Sequence, residues 1–66
     1  MHVEILVKEV RQREKITLSR LSEKSGISRT HINDIENNIK SPSLFVMICL
    51  AKALNVEITD LYKVKW

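Results

Sequence analysis

The side chains able to do chemistry are few in this chain, and their spacing decides which chemistry is open to them. Cys49 stands alone, and neither His2 nor His31 lies at a recognisable ligand spacing, so the reading is no metal, no disulfide and a structural, apolar Cys49. Ser, His, Asp and Glu are present, yet nothing places a nucleophile beside a base, and no enzyme active site is expected. One group does fall into register. Arg29, Thr30, Asn33, Asp34 and Asn37 recur at helical spacing, with Ile32 and Ile35 on the opposite side of the same helix. A row of guanidinium, hydroxyl, amide and carboxylate groups exchanges hydrogen bonds; it is equipped for recognition, with no cofactor.

Presenting such a row outward requires helices, and the chain has the pattern for them. One Gly and one Pro leave little punctuation for a multi-stranded sheet, and apolar residues recur at spacings of three and four almost throughout. Val3, Leu6, Val7 and Val10 form one stripe, predicting a first helix over residues 4–13. Thr17 is the expected N-cap of a helix over 18–25, and Gly26 its stop, since glycine takes the left-handed conformation without steric penalty. Ser28 then caps a third helix over 29–37. Residues 37–41 form a polar loop, Ser43 caps a fourth helix over 44–54, and Asn55 ends it. A short fifth helix is expected over 59–62, and residues 63–66 alternate in a way that suits a brief strand or a disordered tail. The fold class expected is all-α, a compact five-helix arrangement occupying residues 1–66 as one domain.

Size and charge narrow the function classes. A 66-residue domain buries only about 60% of its unfolded surface, leaving no room for a two-lobed enzyme, a nucleotide-binding sheet or a separate effector-sensing domain. A single glycine excludes glycine-rich phosphate loops. No apolar run approaches the roughly 20 residues of a membrane span, and the start MHVEILVKEVRQR is too charged for a signal peptide. The expectation is a cytoplasmic protein with no membrane partner. Eleven basic against eight acidic residues give +3 and a pI near 9.3, compatible with a nucleic-acid partner but only weakly so, because the basicity is spread along the chain.

Two short helices joined by a turn of about three residues define a helix-turn-helix. The segment from Leu18 to Ile35 meets its physical requirements: small Ser22 at the close crossing, Gly26 at the position of positive φ, and Leu21, Ile27, Ile32 and Ile35 as the apolar wedge. Residues Val7 to Tyr62 resemble the Cro/repressor-type (XRE) helix-turn-helix family. The motifs carrying the resemblance are I16-T17-L18-S19-R20-L21-S22, S25-G26-I27-S28-R29-T30-H31-I32, I35-E36-N37 and P42-S43-L44 with L50-A51-K52-A53-L54. The resemblance implies a five-helix DNA-binding fold and a sequence-specific transcriptional regulator, usually a homodimer on a palindromic operator, in a prokaryotic or phage context. Its third helix would lie in the major groove, with Arg29 donating to guanine O6 and N7, Asn33 pairing with an adenine edge, Thr30 touching a thymine methyl and Asp34 accepting from cytosine N4. Phosphate contacts are implied at Thr17, Ser28, His31, Asn37, Asn38 and Lys40.

Some positions depart from the family pattern. Leu18 stands where Gln commonly bonds a phosphate, and Asn38 and Lys15 stand where Gly is common. Asp34 either meets a cytosine or is solvated or paired within the chain. Arg11 and Glu36 match a partly buried salt bridge between the first helix and the end of the third. In the fourth helix Leu44, Met47, Ile48, Leu50, Ala51 and Leu54 are expected to face the core, leaving Phe45, Val46, Cys49 and Ala53, with Tyr62 and Trp66, as a homodimer interface. The alternative function is a protein-interaction or antitoxin-like adaptor that uses the same surface, with DNA binding secondary.

Overall fold

The two ends of the chain meet as strands. In the computed structural model, which describes residues 1–66, β1 (His2–Ile5) pairs antiparallel with β2 (Tyr62–Lys65), in the register His2↔Lys65, Val3↔Val64, Glu4↔Lys63 and Ile5↔Tyr62. Between them run α1 (Val7–Arg13), α2 (Leu18–Ser25), α3 (Arg29–Glu36), α4 (Leu44–Leu54) and a 3-10 turn (Ile58–Leu61). This corrects the five-helix expectation: there are four α-helices and a small sheet, so all-α holds only approximately. The first helix begins at Val7 because residues 2–5 alternate polar and apolar and find a partner strand; four residues fit either period, and pairing decides. A backbone bond of 2.8 Å from Leu6 to the carbonyl of Leu61 ties the sheet to the helices. The segment expected as a fifth helix is the 3-10 turn, closed by Asp60, whose carboxylate accepts from the Glu57 N–H at 3.0 Å.

Local chemistry sets the other boundaries. The hydroxyls of Thr17, Ser28 and Ser43 each accept, at 3.1 Å, from the backbone N–H three residues on, so one orphan donor at each helix start is satisfied. Gly26 (φ 77°) and Asn55 (φ 58°) terminate α2 and α4 in the left-handed region, while α3 ends at Glu36 with Asn37 as its cap. Lys15 (φ 57°) and Asn38 (φ 60°) also sit in that region, which asparagine tolerates better than lysine.

The core gathers Val7 and Val10 of α1, Leu21 of α2, Ile32 and Ile35 of α3, six residues of α4, and Leu61. The orientation of α4 differs from the expectation by roughly 60° about its axis. Val46 and Ala53, expected at a dimer interface, are buried within the protomer, while Leu44 and Ile48, expected inside, are 70% and 48% exposed. Met47, Leu50, Ala51 and Leu54 face the core in both arrangements, so the rotation exchanges Leu44 and Ile48 for Val46 and Ala53.

One polar contact lies inside this apolar framework. Arg11 donates through Nε and Nη2 to the two carboxylate oxygens of Glu36, at 2.7 and 3.1 Å, and through Nη1 to the carbonyl of Ile16 at 3.0 Å. Only 13% of the Arg11 side chain and 4% of the Glu36 side chain reach solvent. Removing one partner leaves the other charge stranded, so Glu36→Gln is expected to lower unfolding stability by about 3–5 kcal/mol. Urea denaturation checks this; a loss below about 1 kcal/mol would mean that the pair acts as an ordinary surface bridge.

Candidate nucleic-acid interface

The turn between α2 and α3 is held from both sides. Ser22 lies at the close crossing and its hydroxyl donates to the carbonyl of Ile27 at 2.6 Å, while the Ser25 hydroxyl accepts from the Ile27 N–H at 3.1 Å. A larger side chain at Ser22 would push the helices apart and leave that carbonyl unpaired. Leu21, Ile32 and Ile35 have no exposed surface, and Ile27 and Leu18 pack partly buried against the same cluster. Leucine at position 18 is therefore spent on packing, which accounts for the absence of a polar side chain there.

With its apolar side locked, α3 turns the other side outward. Arg29, Thr30 and Asn33 are exposed, and Asp34 and His31 are half-buried. Two hydrogen bonds order this face. Arg29 Nη1 donates to the Ser19 hydroxyl of α2 at 2.9 Å, and Asn37 Nδ2 donates to Asn33 Oδ1 at 3.1 Å. The Asp34 carboxylate has no partner in the chain, but its backbone carbonyl accepts from Ile39 at 2.8 Å and Lys40 at 3.3 Å. Those bonds fold the following loop back onto the helix end, which leaves Asn37, Asn38 and Lys40 exposed beside it. Thr17 and Ser28 each accept one backbone N–H as caps, and each hydroxyl proton has no acceptor in the chain.

The sequence-derived residues on α3 and its flanking loop thus share one side of the molecule. Those assigned to a dimer contact divide: Phe45 and Trp66 are exposed, Cys49 and Tyr62 half-buried, and Val46 and Ala53 belong to the core. Ser19 was not singled out by sequence reasoning. Its partner is ten positions away on another helix, and no local periodicity marks that contact.

A pair of helices wedged at a glycine turn, with a fixed polar face on the second, defines a helix-turn-helix protein. Residues 7–61 match the helix-turn-helix family, and the chain belongs to it, in its Cro/repressor (XRE) type. It is 34% identical over 53 residues to the immunity repressor protein of Bacillus phage phi105, covering 80% of this chain and 37% of that one. Among solved structures it resembles the restriction-modification controller protein C.AhdI from Aeromonas hydrophila, with a TM-score of 0.79, 26% identity and 82% of each chain covered. It also resembles the N-terminal DNA-binding domain of SinR from Bacillus subtilis, with a TM-score of 0.74, 28% identity, and 80% and 78% of the two chains covered. The chain spans less than half the length of the curated relatives it matches. The family is one of transcriptional regulators rather than enzymes, and no helix here is long and apolar enough to cross a membrane.

The turn's dependence on Gly26 is a backbone matter alone, because a Cβ built there meets nothing within 4 Å. Gly26→Ala is expected to destabilise the fold by about 1–2 kcal/mol, the strain of a left-handed alanine. Thermal unfolding reads that strain as a lower Tm; an unchanged Tm would show that the turn relaxes to negative φ.

Proposed function

We propose that this chain is a sequence-specific double-stranded DNA-binding regulator of transcription, acting as a repressor that occludes a promoter. The observation carrying the reading is the two-sided character of α3: Ile32 and Ile35 are wholly buried, while Arg29, Thr30 and Asn33 are presented to solvent. A helix so held reads base edges at little reorganisation cost. Arg29 meets guanine O6 and N7, Thr30 a thymine methyl, Asn33 an adenine edge, and Asp34 a cytosine N4 amine. Phosphates are met by the first-turn N–H groups and hydroxyls at Thr17 and Ser28, by His31, and by Asn37, Asn38 and Lys40 in the loop. The relatives, a phage immunity repressor, a restriction-modification controller protein and a DNA-binding domain, favour the same reading.

Titration with random-sequence duplex tests it. Binding is expected at low salt and should weaken steeply as salt rises, because neutralised phosphates release their counterions. Arg29→Ala should relax preference at one base pair by about 1–3 kcal/mol, whereas Lys40→Ala should weaken all duplexes alike and flatten the salt slope by about one. No binding even at low salt would leave the adaptor reading in its place.

The regulator is further proposed to act as a homodimer on a palindromic operator. Leu44, Phe45 and Ile48 share the outward arc of α4 with Cys49, and the first three are 70%, 71% and 48% exposed. Leu44 continues this surface into a shallow apolar groove that Val3, Ile5, Met47 and Tyr62 line with it. A second copy covers that surface, with Tyr62 and Trp66 at its margin, and sets two recognition helices about 34 Å apart. Val46 and Ala53 take no part. Phe45→Asp is expected to yield monomers and weaken operator binding; light scattering that finds the unaltered chain monomeric at tens of micromolar would refute the dimer. The same apolar patch is what favours the adaptor alternative, in which a different protein occupies it.

A further inference from the structure

We infer that Ser19 is a specificity-positioning residue: its hydroxyl, on α2, holds the Arg29 guanidinium in a fixed pose before any ligand arrives. The inference rests on the DNA-binding reading of α3. Arg29 is exposed and opens its helix, a place where an arginine otherwise samples many rotamers. Here Nη1 donates to Ser19 Oγ at 2.9 Å, across the gap between the two helices. That single bond uses one of the five guanidinium N–H groups; Nε and Nη2 have no partner in the chain and stay available as a two-pronged donor.

Other polar groups nearby are engaged elsewhere. The Arg20 guanidinium pairs with Glu23 at 2.7 Å, and Asn33 Oδ1 accepts from Asn37. Ser19 is thus the hydroxyl that orients Arg29. A fork ordered in advance surrenders less rotamer freedom on binding and presents its prongs at one angle, which favours a base edge carrying two acceptors side by side, that of guanine. An unrestrained arginine meets the same edge but also swings to phosphates, which are alike at every base pair.

The test uses the whole chain and four variants: Ser19→Ala, Ser19→Thr, Arg29→Ala and the Ser19→Ala/Arg29→Ala pair. Ser19 is exposed and alanine suits a helix, so circular dichroism should find all four folded. A bound duplex is selected from a random pool, and affinities are compared for that duplex and for one altered at the base pair whose preference Arg29→Ala relaxes. In Ser19→Ala, discrimination at that base pair is expected to fall about three- to tenfold. Ser19→Thr, which keeps the hydroxyl, should restore it, and the double variant should discriminate no worse than Arg29→Ala alone. Equal weakening on every duplex, persisting in the Arg29→Ala background, overturns the inference, for Ser19 would then be a phosphate contact. Unchanged discrimination in Ser19→Ala overturns it as well, while leaving DNA binding intact. Failure of the unaltered chain to bind any duplex overturns the DNA-binding reading and this inference with it.

Discussion

Arg11 and Glu36 are two opposite charges taken almost entirely out of water, and such a pair is favourable only when its geometry is complete. Here it is: two parallel hydrogen bonds join the groups, and the remaining guanidinium nitrogen satisfies the carbonyl of Ile16. One side chain of α1 therefore reaches both the last turn of α3 and the residue leading into the Thr17 cap. The apolar wedge of Leu21, Ile32 and Ile35 fixes which way α3 faces, and the bonded turn at Ser22, Ser25 and Ile27 holds its first residues. The ion pair anchors the other end of α3, because a displaced Glu36 would lose both hydrogen bonds and keep its desolvation penalty. The outward pose of Arg29, Thr30 and Asn33 thus depends on a contact on the far side of the helix.

The charge inventory of α3 gives this arrangement a second meaning. The helix carries Arg29 against Asp34 and Glu36, so it is not basic by count. Glu36 is neutralised by Arg11 on the buried side, which leaves Arg29 and Asp34 as the ionised pair nearest the outer face. On the DNA-binding reading proposed above, attraction for a polyanion falls to groups around α3: helix-start N–H groups, capping hydroxyls and the loop. Asp34 contributes there through its backbone, since its carbonyl accepts from the Ile39 and Lys40 N–H groups and so holds the lysine beside the end of α3.

Features set by near neighbours in the chain were legible in the residues. Thr17, Ser28 and Ser43 announce helix starts because a hydroxyl finds its N–H three positions on, and Gly26 and Asn55 announce stops because few residues tolerate positive φ. The spans of the second and fourth helices follow from these signals. Features set by distant partners were not legible. His2 to Ile5 is too short for one period to be told from another, and its partner strand lies at the opposite end of the chain. The fourth helix is apolar nearly all round, so its pattern says little about rotation, which packing against the other helices decides in three dimensions. The Ser19–Arg29 contact depends on where two helices cross, which propensity does not encode. In the site, accordingly, residue types were readable while their mutual bonding was not.

The pairing of β1 with β2 has a bearing on the order in which the molecule assembles. Zipping these strands closes a ring that encloses every other element, and the entropic penalty of ring closure grows with the length enclosed, though only logarithmically. A ribbon of two four-residue strands has too little contact of its own to overcome that penalty. The helices must first bring Leu6 beside Leu61, after which the remaining closure is short. On these grounds the sheet is expected to act as a clasp, fastened after the helices and released before them.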